Sequence, residues 1–405
     1  MRLAWLSPLP PLPSGIADYS IELLPLIAER ASVEVFSPSP GALRSLRSPP
    51  GVTVLSPASF SKRAGSYDAV FHHLGNNPFH QFVYQAALEA PGGIAVLHEV
   101  VLHHLIEAGT IGFGKRDLAG YSAILQAEYG SLGRRLADLR SRRVATEFDK
   151  FLFPLNGRIA RGARAVVVHS QGARERIVDV APGVPVAVIP HHAGAPPPDT
   201  VGISREEARA RLDLPLDSFL VGQFGFLTRP KQPAPVLGGF ARVAASRPNA
   251  RLLVVGANLA GPGVQRLIRR YGLEGRVRLT GFVDLTRFYL FLKAVDAVVN
   301  LRYPSAGETS GTFARALAEG RATVVNNIGS FAEIPPDVTL KVEVDEDQAD
   351  AVASHLVRLA EEPEFRAALE DRARAYAATH LDPRRCAELY LQLAEESAQR
   401  NVAGA

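Results

Sequence analysis

One carboxylate stands in a glycine-bounded turn, Arg302-Tyr303-Pro304-Ser305-Ala306-Gly307-Glu308-Thr309-Ser310-Gly311. An apolar run from Asp296 to Leu301 leads into it, and a helical pattern starts near Thr312 and ends at Gly320. In an α/β protein, ligands bind at the carboxyl ends of strands, where such turns sit. The free N–H groups of a helix start favour an anion such as a diphosphate. The Glu308 carboxylate can accept hydrogen bonds from neutral hydroxyls. A diphosphate beside a hydroxyl-bearing group describes a nucleotide-sugar. The alternative is an ordinary strand–helix turn with a solvated Glu.

Other segments have similar potential. The loop Ser7-Pro8-Leu9-Pro10-Pro11-Leu12-Pro13-Ser14-Gly15-Ile16-Ala17-Asp18-Tyr19 follows the first strand. Gly15 permits close backbone approach to a ligand, although the loop can also be read as a plain Pro-rich connection. Phe224-Gly225-Phe226-Leu227-Thr228-Arg229-Pro230-Lys231-Gln232 lies between a strand and a helix. Arg229 and Lys231 there could neutralise a diphosphate leaving group, or simply be surface cations. His98 ends the apolar run Ile94 to Leu97, where a cleft residue belongs, yet a lone His is often structural. His98 and His103 are five apart, so the zinc-protease pattern of His at i and i+4 is absent. The pairs His72-His73, His103-His104 and His191-His192 do not share a helix face, and adjacent residues point opposite ways on a strand. Asp345-Glu346-Asp347 spells an Asp-x-Asp pattern, but acidic residues at a helix start are the simpler account. No metal site is expected.

The elements that must hold these residues alternate. β-like runs cover Leu3–Leu6, Val33–Phe36, Asp68–Phe71, Ile94–Leu97, Ala165–Val168 and Val186–Ile189, then Phe219–Phe224, Arg251–Val255, Val277–Thr280, Ala297–Asn300 and Thr323–Asn326. Many are continuously apolar, as for parallel strands covered on both faces. Helical patterns such as Ile21–Arg30, Ala234–Ser246 and Asp350–Glu361 lie between them, which argues for α/β architecture. The break falls between Gly194 and Ile203, where Ala195-Pro196-Pro197-Pro198-Asp199 can continue neither helix nor central strand. Ser204 or a neighbour then caps a charged helix, Arg205 to Leu212. The expected domains are 1–195 and 196–382, with an amphipathic helix in 383–405.

A chain of 405 residues with 47% hydrophobic and 21% charged content has ample core for two or three domains. The single cysteine, Cys386, excludes an internal disulfide framework and a cysteine zinc cage. No run approaches a transmembrane helix, and the strand-like N-terminus does not read as a signal peptide. The expected location is the cytoplasm. From Phe113 to Arg176 there are 13 Lys/Arg against 6 Asp/Glu, and Arg134, Arg135, Arg140, Arg142 and Arg143 cluster on one helical pattern. A solvated helix or an anionic membrane surface would account for this. No nucleic-acid signature is present.

Together these segments resemble the retaining glycosyltransferases of family 4 and their GT-B fold. The resemblance rests on Ser14-Gly15-Ile16-Ala17-Asp18-Tyr19, the strand ending at His98, Gly225 to Lys231, Gly307-Glu308-Thr309-Ser310-Gly311, and Gly329-Ser330-Phe331-Ala332-Glu333. Leu74-Gly75-Asn76-Asn77-Pro78-Phe79-His80 is similar to a bacterial branch. The resemblance covers nearly the whole chain, in the family's order. It implies two Rossmann-like domains facing across a cleft, with the C-terminal helix crossing back to the first. It implies catalytic roles for His98, Glu308 and Lys231. Gly15 would approach the donor diphosphate, and Lys231 with Arg229 would bind it. Glu308, Thr309, Ser310 and Gly311 would hold sugar and phosphates, while Phe282 and Val283 lie against the base. The implied reaction moves a hexose from a nucleotide diphospho-sugar to a hydroxyl of a saccharide or lipid-linked saccharide, as in polysaccharide biosynthesis. It uses no metal or other cofactor. The acceptor side would be the first domain, which places the basic segment at the inner face of the plasma membrane.

Two positions depart from the family. Its second glutamate falls on Ala316 by spacing from Glu308, or on Arg315 when aligned on Gly320, and Arg315 then joins the donor-binding set. Its usual phosphate-loop arginine is Phe226 here, a loss for which Arg229 would compensate. A degenerate nucleotide- or saccharide-binding protein is therefore the competing reading. An epimerase or glycan phosphorylase of similar architecture is a third.

Overall fold

The computed structural model describes residues 1–38, 51–345 and 347–403. Glu346 of the acidic triplet and residues 404–405 of the C-terminal segment lie outside the described residues. The chain forms two compact units. The first contains Met1–His191, Ala306–Thr309 and Pro383–Ala405, and the second contains His192–Ser305 and Ser310–Asp382. The short segment that carries Glu308 thus counts with the first unit, although its neighbours in sequence belong to the second.

Among the described residues the first unit holds seven parallel strands: β1 Arg2–Leu6, β2 Ser32–Phe36, β3 Val52–Leu55, β4 Ala69–Leu74, β5 Ile94–Leu97, β6 Ala165–Val168 and β7 Val186–Val188. Their order is β3-β2-β1-β4-β5-β6-β7. The described residues of the second unit hold six more: β8 Leu220–Phe224, β9 Arg251–Val255, β10 Val277–Leu279, β11 Ala297–Asn300, β12 Ala322–Asn326 and β13 Leu340–Val342. Their order is β10-β9-β8-β11-β12-β13. Both sheets reverse direction of growth once, at β1/β4 and at β8/β11. Such a switch point opens a crevice at the carboxyl ends of the strands.

The inner strands β5, β6, β8, β11 and β12 are buried along their whole length. Each sheet has apolar clusters on both faces, as doubly covered parallel sheets require. Two strands are absent from the expected set, β3 and β13. Both are edge strands with partly exposed residues, so neither carries the continuous apolar run that marks a central strand.

The first helix covers Gly15–Ala28, starting earlier than the expected Ile21, because Ser14 caps it by accepting from the Ile16 N–H. The C-terminal helix Pro383–Ala403 packs on that helix within the first unit, where the Tyr19 and Tyr390 hydroxyls meet at 2.9 Å. In the second unit Ser204 caps Arg205–Arg211 through the Glu207 N–H. Asp296, just before β11, is buried and accepts from Arg209 Nη2 and from the Leu220 N–H, both at 2.7 Å. Among the described residues, no helix is long and apolar enough to cross a membrane.

Candidate functional site

The switch point of the second sheet is built from two loops. After β8, Gly225 takes φ +81°, a left-handed conformation that favours glycine. A Cβ at Gly225 would stand 2.6 Å from Lys231 Nζ and 3.3 Å from Thr312 Oγ1. An ammonium, a glycine backbone and the first turn of helix Gly311–Ala318 therefore converge on one point. Ser310 caps that helix by accepting from the Phe313 N–H, and the other N–H groups of the first turn have no partner within the helix. Lys231 is buried, and its Nζ donates to the Phe224 carbonyl at 2.6 Å. Arg229, two residues earlier, is exposed.

The loop carrying Lys231 is fastened on both sides. Gln223 Nε2 donates to the Lys231 carbonyl at 2.9 Å. Gln232 sits at φ +50°, a left-handed position costing about 1–3 kcal/mol for a non-glycine residue. Its Nε2 donates to Asn326 Oδ1 at 3.1 Å, and Asn326 Nδ2 donates to Gln348 Oε1 at 3.0 Å. These fasteners were not expected from sequence. The signal available was their position at the ends of β8 and β12.

Farther along the same rim, Phe282 and Val283 line a cavity of about 320 Å³ with Arg278, Leu279, Thr280, Asp284 and Arg287. Phe282 is exposed, and Phe226 stacks on it with centroids 6.5 Å apart. Phe226 thus extends an aromatic surface at the expected base position. Arg315 is buried in helix Gly311–Ala318, and so is Ala316.

In the first unit Gly15 is exposed, and a Cβ built on it meets no atom within 4 Å. Internal packing therefore does not require glycine there, and the space is open to a ligand. The segment Ala306–Thr309 is held by the loop after β5. The Val100 and Val101 N–H groups donate to the Ala306 carbonyl at 2.8 and 3.3 Å. Gly307, at φ +78°, lies so close that a Cβ would clash with Val100. Glu308 is buried. Burial lowers the nearby Arg176 guanidinium from its usual range, and the Glu308 carboxylate opposes that shift.

His98 is almost fully buried at the end of β5, and both ring nitrogens are engaged. Nε2 is 3.0 Å from His73 Nδ1, and Nδ1 is 3.0 Å from His169 Nε2. His169 Nδ1 donates to the Ile189 carbonyl at 2.7 Å. Tyr19 packs edge-on against His98 and Trp5 stacks on His73. Burial, followed by the neighbouring imidazoles, lowers the His98 and His73 pKa values well below the ordinary 6.5. His169 was not singled out from sequence, although it follows β6 as His98 follows β5. The adjacent pair His103-His104 diverges. His103 bonds the Phe153 carbonyl and Tyr121, whereas His104 meets Asn76. Among the described residues, no group of three or more His, Cys, Asp or Glu could hold a metal ion. Asp345 accepts from the Asp347 N–H at the start of helix Gln348–Glu361.

Part of the basic segment is internal. Arg140 and Lys150 pair with Glu107 and Glu147. Arg142 pairs with Asp138 at 3.0 Å. Exposed beside them stand Leu139, Val144, Phe148 and Leu152, with Arg135 and Arg143 also exposed.

Residues 204–376, which lie in the second unit apart from Ala306–Thr309, match the family model described as "Glycosyl transferases group 1". No curated protein matches the chain. Among solved structures, HepE of Anabaena in complex with UDP and glucose is 18% identical, covers 98% of this chain and 100% of its own, and has a TM-score of 0.68. Sucrose-phosphate synthase from Thermosynechococcus elongatus is 16% identical over 100% of both chains, with a TM-score of 0.67. WaaG, a glycosyltransferase involved in lipopolysaccharide biosynthesis, is 14% identical over 96% of this chain and 99% of its own, with a TM-score of 0.63. At these identities the likeness concerns the fold, which is the GT-B arrangement of two Rossmann-like units.

Proposed function

We propose that this chain is a retaining glycosyltransferase of family 4 that moves a hexose from a nucleotide diphospho-sugar to a hydroxyl of a saccharide or lipid-linked saccharide. The observation that carries this reading is the convergence of Gly225, Lys231 and the helix start at Thr312, inside the matched domain. That arrangement is a cradle for a diphosphate. UDP and UDP-glucose occupy the Anabaena relative HepE, which makes a uridine donor the first to test.

In this reading the bond between the anomeric carbon and the diphosphate oxygen breaks, and a bond to the acceptor oxygen forms on the same face. The departing phosphate takes the acceptor proton. Lys231, Arg229 and the amides at Ser310 and Gly311 stabilise the charge that develops on the leaving group. Glu308 and Thr309 orient the sugar, Gly15 gives room to the donor, Phe282 and Val283 border the base, and Arg315 joins the donor set from within the helix Gly311–Ala318. No metal or other cofactor takes part. The cytoplasmic face of a membrane is the working location, with Leu139, Val144, Phe148 and Leu152 touching an anionic bilayer beside Arg135 and Arg143. Flotation with anionic against neutral liposomes tests that contact, and equal binding to both would sink it.

The deciding experiment is a thermal-shift screen against UDP, GDP, ADP and their sugar conjugates, with and without a chelator. Native-state binding at 100 times the dissociation constant adds about 2.7 kcal/mol, a readable shift. One nucleotide should shift the protein alone, without a chelator effect, and Glu308→Ala should abolish sugar transfer. The missing family glutamate at Ala316 or Arg315 favours a second reading, a degenerate binder. A nucleotide shift without any turnover by the unsubstituted protein would establish that one instead.

A further inference from the structure

We propose that His98 is a positioning residue, which spends its imidazole inside a three-histidine array and acts through the loop that holds Glu308. The proposal rests on the glycosyltransferase reading, and it assigns His98 a different part from the sugar contact that the family resemblance implies.

The argument starts at Ile189. Its carbonyl can only accept, so His169 Nδ1 carries a proton. In a neutral array His169 Nε2 is then an acceptor, and His98 Nδ1 must donate to it across 3.0 Å. His98 Nε2 is therefore an acceptor in turn, and His73 Nδ1 donates to it across 3.0 Å. One carbonyl thus determines the tautomer of three imidazoles in sequence. A sugar hydroxyl could reach a nitrogen of His98 only by displacing His73 from Nε2 or His169 from Nδ1, and His169 is tied to the Ile189 carbonyl; the His73 side is packed more tightly still. The His73 ring is fully buried and stacked on Trp5 with centroids 4.0 Å apart. Tyr19 packs edge-on against His98 with centroids 4.7 Å apart, its own hydroxyl bonded to Tyr390.

The array spans the carboxyl ends of β4, β5 and β6, so it braces the place where β5 turns into the loop Glu99–Leu102. That loop is fastened at each residue. Glu99 accepts from the Asn76 N–H at 3.1 Å, and the Val100 carbonyl accepts from Asn156 Nδ2 at 2.6 Å. The Val100 and Val101 amides hold Ala306, two residues before Glu308. The path from histidine to carboxylate therefore runs through main-chain hydrogen bonds, and it needs no contact between imidazole and sugar. His73 and His169 belong to the same device.

Histidine side-chain nitrogen NMR on the full chain tests this directly. His73, His98 and His169 should all be protonated at Nδ1, and the His98 nitrogens should keep their shifts when UDP or UDP-glucose is added. Kinetics give a second arm. His98→Asn and His169→Phe should each lower kcat by about tenfold or more, because misplacement of a reacting group is costly. The double variant should be no worse than the worse single one, since both act through one array. A His98 signal that moves with UDP-glucose but not with UDP would overturn the proposal. So would a His169→Phe enzyme that transfers at the unsubstituted rate while His98→Asn does not. Should the variants fail to fold, the NMR of the unsubstituted protein still decides. If no nucleotide shifts the protein in the thermal screen, the transferase reading fails and the catalytic role falls with it, while the ligand-free spectrum still reports the tautomers.

Discussion

The two sheets share a winding but differ in the side chains set at their strand ends. The first lines its carboxyl rim with hydrogen-bonded rings: His73, His98 and His169, with Tyr19 and Tyr390 packed beside them. The second buries ions. Lys231 stands at its carboxyl rim, and Asp296 at the other end of β11 gathers Arg209 and Arg205. A parallel sheet supplies the crevice, and loop residues decide whether that crevice favours an anion or a network of neutral hydrogen bonds. A charge inside a fold must be paired, because an unpaired one is costly. Neutral rings need only matched donors and acceptors, so their order is set by tautomer.

The sharpest way to break this contrast is at Asp296. Its loss leaves Arg209 buried without its carboxylate, so Asp296→Ala should cost about 3–5 kcal/mol of stability in urea unfolding. A change below about 1 kcal/mol would mean that this ion pair is solvated in solution. Next comes Lys231→Met, which should reduce sugar transfer by about 10²–10³-fold, the usual effect of removing one donor to a developing anion. Unaltered transfer would remove Lys231 from the diphosphate site.

Acid sharpens the contrast from the other side. His72 and His80 in the first unit are lowered by burial to about 4 from the ordinary 6.5. Above pH 6.5 these imidazoles are neutral both folded and unfolded, so they make stability independent of pH. Between 6.5 and 4 the unfolded chain takes up protons that the folded one refuses, and stability falls. The slope is on the order of 1.4 kcal/mol per pH unit for each such histidine. Urea midpoints measured from pH 8 to pH 5 should stay level and then drop, and His72→Phe should flatten the drop. A level profile to pH 5 would show that these histidines stay solvated. The smallest effect belongs to the Tyr19–Tyr390 hydroxyl pair. Either Tyr→Phe change should cost about 1 kcal/mol, and a double-mutant cycle should recover the coupling.

Much of the fold was legible. β5, β6, β9 and β11 were read to their exact residues because buried parallel strands are continuous apolar runs. The edge strands β3 and β13 were not, because an exposed edge relaxes that demand. The loops after β8 and β11 stood out because each sets a glycine and charged side chains between an apolar strand and a helical pattern. Nothing in the sequence joined His73 to His169, which are separated by 96 positions and two strand crossings (169 − 73). Gln232 and Asn326 were equally silent, since neither a left-handed glutamine nor its distant partner has a local pattern.

Local periodicity and turn chemistry therefore determined the alternation of strands and helices, the two parallel sheets, and the loops that hold Lys231 and Glu308. These depend on neighbours in the chain, and neighbours are what a sequence records. Tertiary structure alone decided which side chains complete those loops. It placed Thr312 against Gly225, turned Arg140 and Lys150 inward onto Glu107, and set His98 between two other histidines. Hydrogen bonds and ion pairs form between atoms a few ångströms apart, whatever their separation along the chain, and only the packed sheets bring those atoms together.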